Sequence, residues 1–244
     1  MTDAALAAAL AGEAGRILLD LRMNGGLEGR AMGEAGDRLA NAFLVEQLRA
    51  LRPDDGLLSE ESKDTEERLA NHRVWIVDPL DGTREYGEGR PDWAVHVGLA
   101  IDGVAEIGAV ALPGLEGGIV LRSDQPAPLL ARNGPPRLVV SRTRPAAEAV
   151  AVAEALGGEL VAMGSAGAKA MAVVTGEAEI YLHSGGQYEW DNCAPVAVAR
   201  AHGLHCSRID GSELRYNHRD TYLPDLLICR PDWAGPVLAA VAAL

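Results

Sequence analysis

Apolar residues recur at the helical period in the opening stretch. Leu6, Leu10, Ile17 and Leu21, with Ala14 between them, predict a helix over 3–22 that ends at Asn24, Gly25 and Gly26. After a glycine-rich loop, Leu39, Phe43 and Leu48 predict a second helix over 34–51, with Pro53 beyond its end. Extended apolar runs follow at 56–60, 73–78, 93–101 and 104–112, and Asp102-Gly103 between the last two has the chemistry of a tight hairpin turn. Prolines, glycines and polar residues then crowd 123–136 and predict a division into an N-terminal α+β lobe, 1–130, and a C-terminal α/β lobe, 131–244, within one structural unit. Strands predicted at 139–141, 159–163, 178–182 and 226–229 alternate with helices at 145–156, 165–174 and 191–202 and a C-terminal helix. The order implies a layered α/β fold.

Composition narrows the function. Among 244 residues, 22 Lys and Arg face 35 Asp and Glu, a net charge of −13, so a nucleic-acid polymer is an unfavourable partner. A small phosphate compound remains open, because bound cations reverse the local sign. No apolar run reaches the roughly 18 residues of a membrane helix, and the basic front end of an export signal is missing. Cys193, Cys206 and Cys229 have no CxxC spacing and suit a reducing, cytoplasmic setting.

The chemistry concentrates in acids. The apolar run from Arg73 ends in Asp78-Pro79-Leu80-Asp81-Gly82-Thr83. At a strand-to-turn junction, Asp78 and Asp81 can point to one place, and the Leu80 carbonyl adds an oxygen ligand. The Gly82 and Thr83 amides offer donors to an anion if a helical turn follows. The same pattern, taken alone, also fits a plain turn with solvated aspartates. Glu60 closes the preceding strand, Asp191 stands at a helix start where it is either a cap or a ligand, and Asp37 lies early in the second helix. Carboxylates gathered together repel unless cations separate them, and all-oxygen ligation points to Mg²⁺ or Mn²⁺. His96, in an alternating strand, reads as a packed residue, and His202 with His205 and Cys206 as a helix end rather than a zinc site.

Asp78-Pro79-Leu80-Asp81-Gly82-Thr83, the upstream Glu60-Glu61-Ser62 and the downstream Trp190-Asp191-Asn192-Cys193-Ala194-Pro195 resemble the three signatures of the inositol monophosphatase superfamily of Mg²⁺-dependent, lithium-sensitive phosphatases. Gly82-Thr83-Arg84-Glu85-Tyr86 is similar to the GTKEF stretch of the CysQ-type 3′(2′),5′-bisphosphate nucleotidases, and Gly164-Ser165-Ala166-Gly167-Ala168-Lys169 to their GSSLK element. The resemblance implies an αβαβα sandwich holding two to three Mg²⁺ ions, with Mn²⁺ able to substitute. It places one ion on Glu60, Asp78 and the Leu80 carbonyl, and a second on Asp78, Asp81 and Asp191. Thr83, bonded to Asp37 or Glu60, would orient the attacking water. Gly82, Thr83, Arg84, Ser165, Gly167, Lys169 and Glu189 become the candidate substrate contacts.

The implied activity is removal of the 3′-phosphate from adenosine 3′,5′-bisphosphate (PAP), with its sulfated form PAPS as a further candidate, in sulfate assimilation by a monomer or homodimer. The alternatives are hydrolysis of inositol phosphate or fructose 1,6-bisphosphate, or a non-catalytic metal- or nucleotide-sensing module. One departure stands out: Glu34 replaces the family's threonine upstream of Asp37, in a loop with Arg30 but no lysine.

Overall fold

The computed structural model describes residues 1–129 and 134–244. The lobe boundary expected at 130/131 lies outside the described residues. Helix α1, Asp3–Asn24, starts where the Thr2 hydroxyl accepts the Ala5 N–H at 3.2 Å, and it buries Leu6, Leu10, Ala14 and Leu18 on one face. Helix α2 spans Gly29–Leu51, so the loop expected up to residue 33 is helical and Arg30 pairs with Glu34 along it at 2.6 Å. Its buried face is Met32, Ala40, Leu44 and Leu48, whereas Leu39, expected inward, is exposed.

The strands that follow are β1 (Gly56–Ser59), β2 (Arg73–Asp81), β3 (Ala94–Ile101), β4 (Val104–Leu112) and β5 (Ile119–Arg122), with the one-turn helix α3 (Thr83–Gly87) after β2. They form one sheet in sequence order, with β1 and β2 parallel and the rest antiparallel. Asp102 and Gly103 both take positive φ at the β3–β4 turn, as the sequence requires. The second half supplies β6 (Arg137–Ser141), α4 (Ala147–Leu156), β7 (Glu159–Met163), α5 (Ala166–Thr175), β8 (Ile180–Tyr188), α6 (Glu189–Ala201), β9 (His205–Ser207), β10 (Tyr222–Cys229) and α7 (Pro231–Ala242). Its sheet runs β7-β6-β8-β10-β9, parallel across the first three strands and antiparallel beyond.

Five layers result. Helices α1 and α2 cover the outer face of the first sheet, α5 and α6 fill the space between the sheets, and α4 with α7 covers the far side. Helices α5 and α6 are buried on nearly every side, which suits a central layer. Among the described residues no helix is long and apolar enough to cross a membrane.

One close approach sets up the site. Gly98 on β3 and Gly108 on β4 are ladder partners, and α6 lies directly on them. A Cβ at Gly108 would stand 2.4 Å from the Ala194 carbonyl, and one at Gly98 would stand 2.9 Å from the Ala194 nitrogen. Only glycine lets the α6 backbone reach the sheet, and this brings the first turn of α6 beside the end of β2.

Candidate active site and metal centre

Strand β2 breaks its ladder with β3 between Asp78 and Asp81, where Pro79 has no N–H to give. The Asp78 carboxylate takes the Leu80 N–H at 3.0 Å, which folds the turn back so that Asp78 and Asp81 lie on one side. Asp191, in the first turn of α6, accepts the Tyr188 N–H at 2.7 Å. It therefore caps its helix and also faces the turn. Oxygens of Asp78, Asp81 and Asp191 lie within 4.8 Å of one another, although residues 81 and 191 are far apart in sequence.

The acids strain against each other. Burial, with the charges of Glu60, Asp81 and Asp191, holds Asp78 well above the usual carboxylate range. Asp191 is pushed up to about 7 by burial and by the Asp81 charge. Glu60 is exposed as a whole, but its carboxyl shares a hydrogen bond with Asp78, and desolvation of that carboxyl together with neighbouring acids lifts it to about 7. Asp81 goes the other way. Burial works to raise it, but the charge of His96 and the Ser165 hydrogen bond outweigh burial and hold it below the usual range.

This donor set fits a hard divalent cation. All the ligands are oxygens, and their mutual repulsion is what a cation between them removes. Asp78, Asp81 and Asp191 each offer an oxygen that could hold such an ion, and Glu60 lies close enough to share a hydrogen bond with Asp78. Thr83, which opens α3, donates to Asp37 at 3.4 Å or to the Leu80 carbonyl at 3.1 Å. Asp37, in the third turn of α2, is pushed up to about 7 by burial and the Glu61 charge. The glycines of α2 bring it there: a Cβ at Gly33 would stand 2.7 Å from Thr83 Cγ2.

Asp81 and Asp191 look into a cavity of about 490 Å³ whose wall includes Gly82, Arg84, Ser165 and Lys169. Arg142 is paired with Glu85 and Glu88, both at 2.8 Å, and Arg84 with Glu88 at 2.8 Å. Arg144, also on the wall, has no carboxylate within ion-pair distance among the described residues.

Several expected substrate contacts have other partners. The Ser165 hydroxyl bonds Asp81, as do the Ala166 amide at 3.0 Å and the Gly167 amide at 2.5 Å. The start of α5 does bind an anion, but the anion is the protein's own carboxylate. Lys169 lines the cavity but turns its ammonium back onto the Gly164 and Ser165 carbonyls. Glu189, expected near a ribose or polyol hydroxyl, is fully buried. Its oxygens take the Asn217 and His218 amides, both at 2.7 Å, so it anchors that loop instead.

Sequence reasoning missed His96 as a member of the site. It is fully buried, with Nε2 at 3.2 Å from Asp81 Oδ2 and Nδ1 at 3.0 Å from the Trp190 carbonyl. The expected helix-end histidine behaves as such: His202 ends α6, with its ring against the Val198 carbonyl at 2.8 Å.

Comparison with known proteins agrees with this architecture. The model of the inositol monophosphatase family matches residues 4–242. A 3′-phosphoadenosine 5′-phosphate phosphatase of Mycobacterium leprae (strain TN) is 52% identical, covering 99% of this chain and 93% of its own. The 3′(2′),5′-bisphosphate nucleotidase CysQ of Escherichia coli (strain K12) is 30% identical over 78% of this chain and 81% of its own. Among solved structures, CysQ from Bacteroides thetaiotaomicron superposes with a TM-score of 0.78 at 25% identity, covering 93% of this chain and 96% of that one. The inositol monophosphatase from Anabaena, at 23% identity, shares the fold with a TM-score of 0.78 over 99% of this chain and 95% of that one. With its three acids converged at the β2–α6 junction, the chain belongs to the inositol monophosphatase family.

Proposed function

We propose that this protein is a Mg²⁺-dependent phosphomonoesterase that removes the 3′-phosphate of PAP, giving adenosine 5′-phosphate and inorganic phosphate. The carrying observation is that Asp78, Asp81 and Asp191 converge within 4.8 Å, and that Asp81 and Asp191 line a cavity whose wall also carries Arg84 and Arg144. A metal-held phosphate at the acids and a second phosphate at Arg144, which has no carboxylate partner among the described residues, describe a bisphosphate better than a monophosphate. The names of the relatives at 52% and 30% identity favour the same substrate.

Glu60, Asp78 and the Leu80 carbonyl would hold one Mg²⁺, and Asp78, Asp81 and Asp191 a second. Bound there, the ions supply positive charge to the phosphate oxygens and acidify a water. The protein's own groups do the rest. The Thr83 hydroxyl takes a proton from the attacking water while passing its own to Asp37, whose elevated pKa of about 7 suits that transfer near neutrality. The Gly82 and Thr83 amides, at the start of α3, would receive the phosphate oxygens. Arg84 stands at the cavity rim with its guanidinium already on Glu88, so it would meet substrate only by leaving that pair. Three cysteines, all free, support a reducing cytoplasmic setting.

Phosphate release from PAP, PAPS, inositol 1-phosphate and fructose 1,6-bisphosphate at fixed Mg²⁺ tests the assignment. PAP is expected to be turned over fastest, and equal or better turnover of either sugar or polyol phosphate overturns it.

A further inference from the structure

His96 is placed where the three cluster acids meet. Across the β2–β3 ladder it is the partner of Asp78. Its Nε2 lies 3.2 Å from Asp81, and its Nδ1 lies 3.0 Å from the carbonyl of Trp190, the residue before Asp191. One ring thus spans the turn that ends β2 and the first turn of α6, two elements in different layers of the fold. No backbone hydrogen bond between those segments does the same among the described residues.

The surroundings are shaped to hold the ring. His96 is fully buried, and helix α5 begins directly over it. A Cβ at Gly167 would stand 2.0 Å from His96 Nε2, so any side chain there would displace the ring from Asp81. Nothing in an all-apolar strand interior requires an imidazole. A buried ring with two nitrogens costs stability unless both find partners. Here Nδ1 meets the Trp190 carbonyl, while Nε2 makes no aligned hydrogen bond and has the Asp81 carboxylate, 3.2 Å away, as its charge partner.

We infer that His96 is a positioning residue that sets the spacing of Asp81 and Asp191 for divalent-cation binding. It acts through these two acids and does not touch substrate. The Nδ1 side anchors the ring to the α6 backbone, and the Nε2 side fixes the rotamer of Asp81 together with Ser165 and Gly167. This inference rests on the reading of the acids as a cation site.

The test is calorimetric titration of the EDTA-stripped full-length protein with Mn²⁺, alongside kcat and KM for PAP. His96→Met fills the space without either N–H. His96→Asn places a donor near the Nδ1 position, and His96→Gln one near Nε2. For a group that orients ligands, His96→Met is expected to bind Mn²⁺ about 10- to 100-fold more weakly. The Asn and Gln variants should fall between Met and wild type. The loss should appear in kcat, with KM for PAP changed by less than about twofold, since substrate binding is not its task. Wild-type Mn²⁺ affinity in folded His96→Met, or a Met variant that outperforms both Asn and Gln, overturns the proposal in favour of simple space filling. Failure of all three variants to fold also overturns it, because it assigns His96 to the site and not to stability. Wild-type protein that takes up no Mn²⁺ overturns the cation reading itself.

Discussion

Replacing Asp191 by Asn should stabilise the metal-free protein. Asp191 ionises at about 7 in the fold instead of 3.8, because it is buried beside Asp81. A shift of that size corresponds to about 4 kcal/mol of charging penalty above neutral pH, at 1.36 kcal/mol per tenfold. Asparagine retains an oxygen for the Tyr188 N–H at 2.7 Å, so the substitution removes the charge and keeps the cap. With some relaxation of the neighbouring acids, a gain of about 2–4 kcal/mol is expected at pH 8. The sign follows from the raised pKa. Below about 4 both folded and unfolded Asp191 are protonated and the variant gains nothing, and the gain grows as pH rises toward about 7. Urea unfolding followed by tryptophan fluorescence in EDTA, at pH 4 and pH 8, measures it. Mg²⁺ at about 1,000 times its Kd should reverse the order, since a ligand at that excess stabilises wild type by about 4.1 kcal/mol while the variant has lost a ligand. A metal-free Asp191→Asn variant less stable than wild type at pH 8 would refute the reasoning that these acids are held together against their repulsion.

Asp81→Asn should do the opposite. The new amide would turn hydrogens toward the Ser165, Ala166 and Gly167 donors, costing about 2–4 kcal/mol in metal-free urea unfolding, with phosphate release lost. Asp37→Asn should lower kcat about 100-fold with little change in Mn²⁺ affinity by calorimetry. The rise of wild-type kcat as pH passes through about 7, where Asp37 becomes free to accept a proton, should disappear from the variant's pH–rate profile. Gly108→Ala should force α6 off the sheet, because its Cβ meets the Ala194 carbonyl at 2.4 Å. Thermal unfolding should show a loss of about 1–3 kcal/mol, and Mn²⁺ titration a weaker affinity because Asp191 moves with the helix.

The acids at the centre are legible because cation chemistry is local: a strand must end in closely spaced carboxylates, and Asp78-Pro79-Leu80-Asp81 shows this directly. The layered order is legible for a similar reason, since alternating strand and helix patterns leave few ways to bury both faces of two sheets. The start of helix α2 is not, because Gly29 and Gly33 suggest a loop. Those glycines lower helix propensity, and Gly33 and Gly36 are present for contact with Thr83 and Leu80. The short edge strands β5 and β9 carry too few residues for a period to show.

Ser165 and Gly167 carry the pattern of an anion-binding helix start, but sequence does not say which anion such a start will meet, and here Asp81 occupies it. Glu189 looks available because it adjoins the Trp190-Asp191 pair, yet its place at the start of α6 turns it toward the loop at Asn217 and His218. His96 is hidden by burial on both faces of β3. In such a strand, alternation no longer tells which side a residue serves.

The central claim is that the acids of β2 and α6 form one cation site. Anomalous diffraction from crystals grown with Mn²⁺ tests it most directly. The account predicts at least one strong peak at coordination distance from Asp78, Asp81 and Asp191 together, about 2.0–2.3 Å from their oxygens. Crystals saturated with Mn²⁺ that show no peak there, or peaks only on other surface acids, would contradict it.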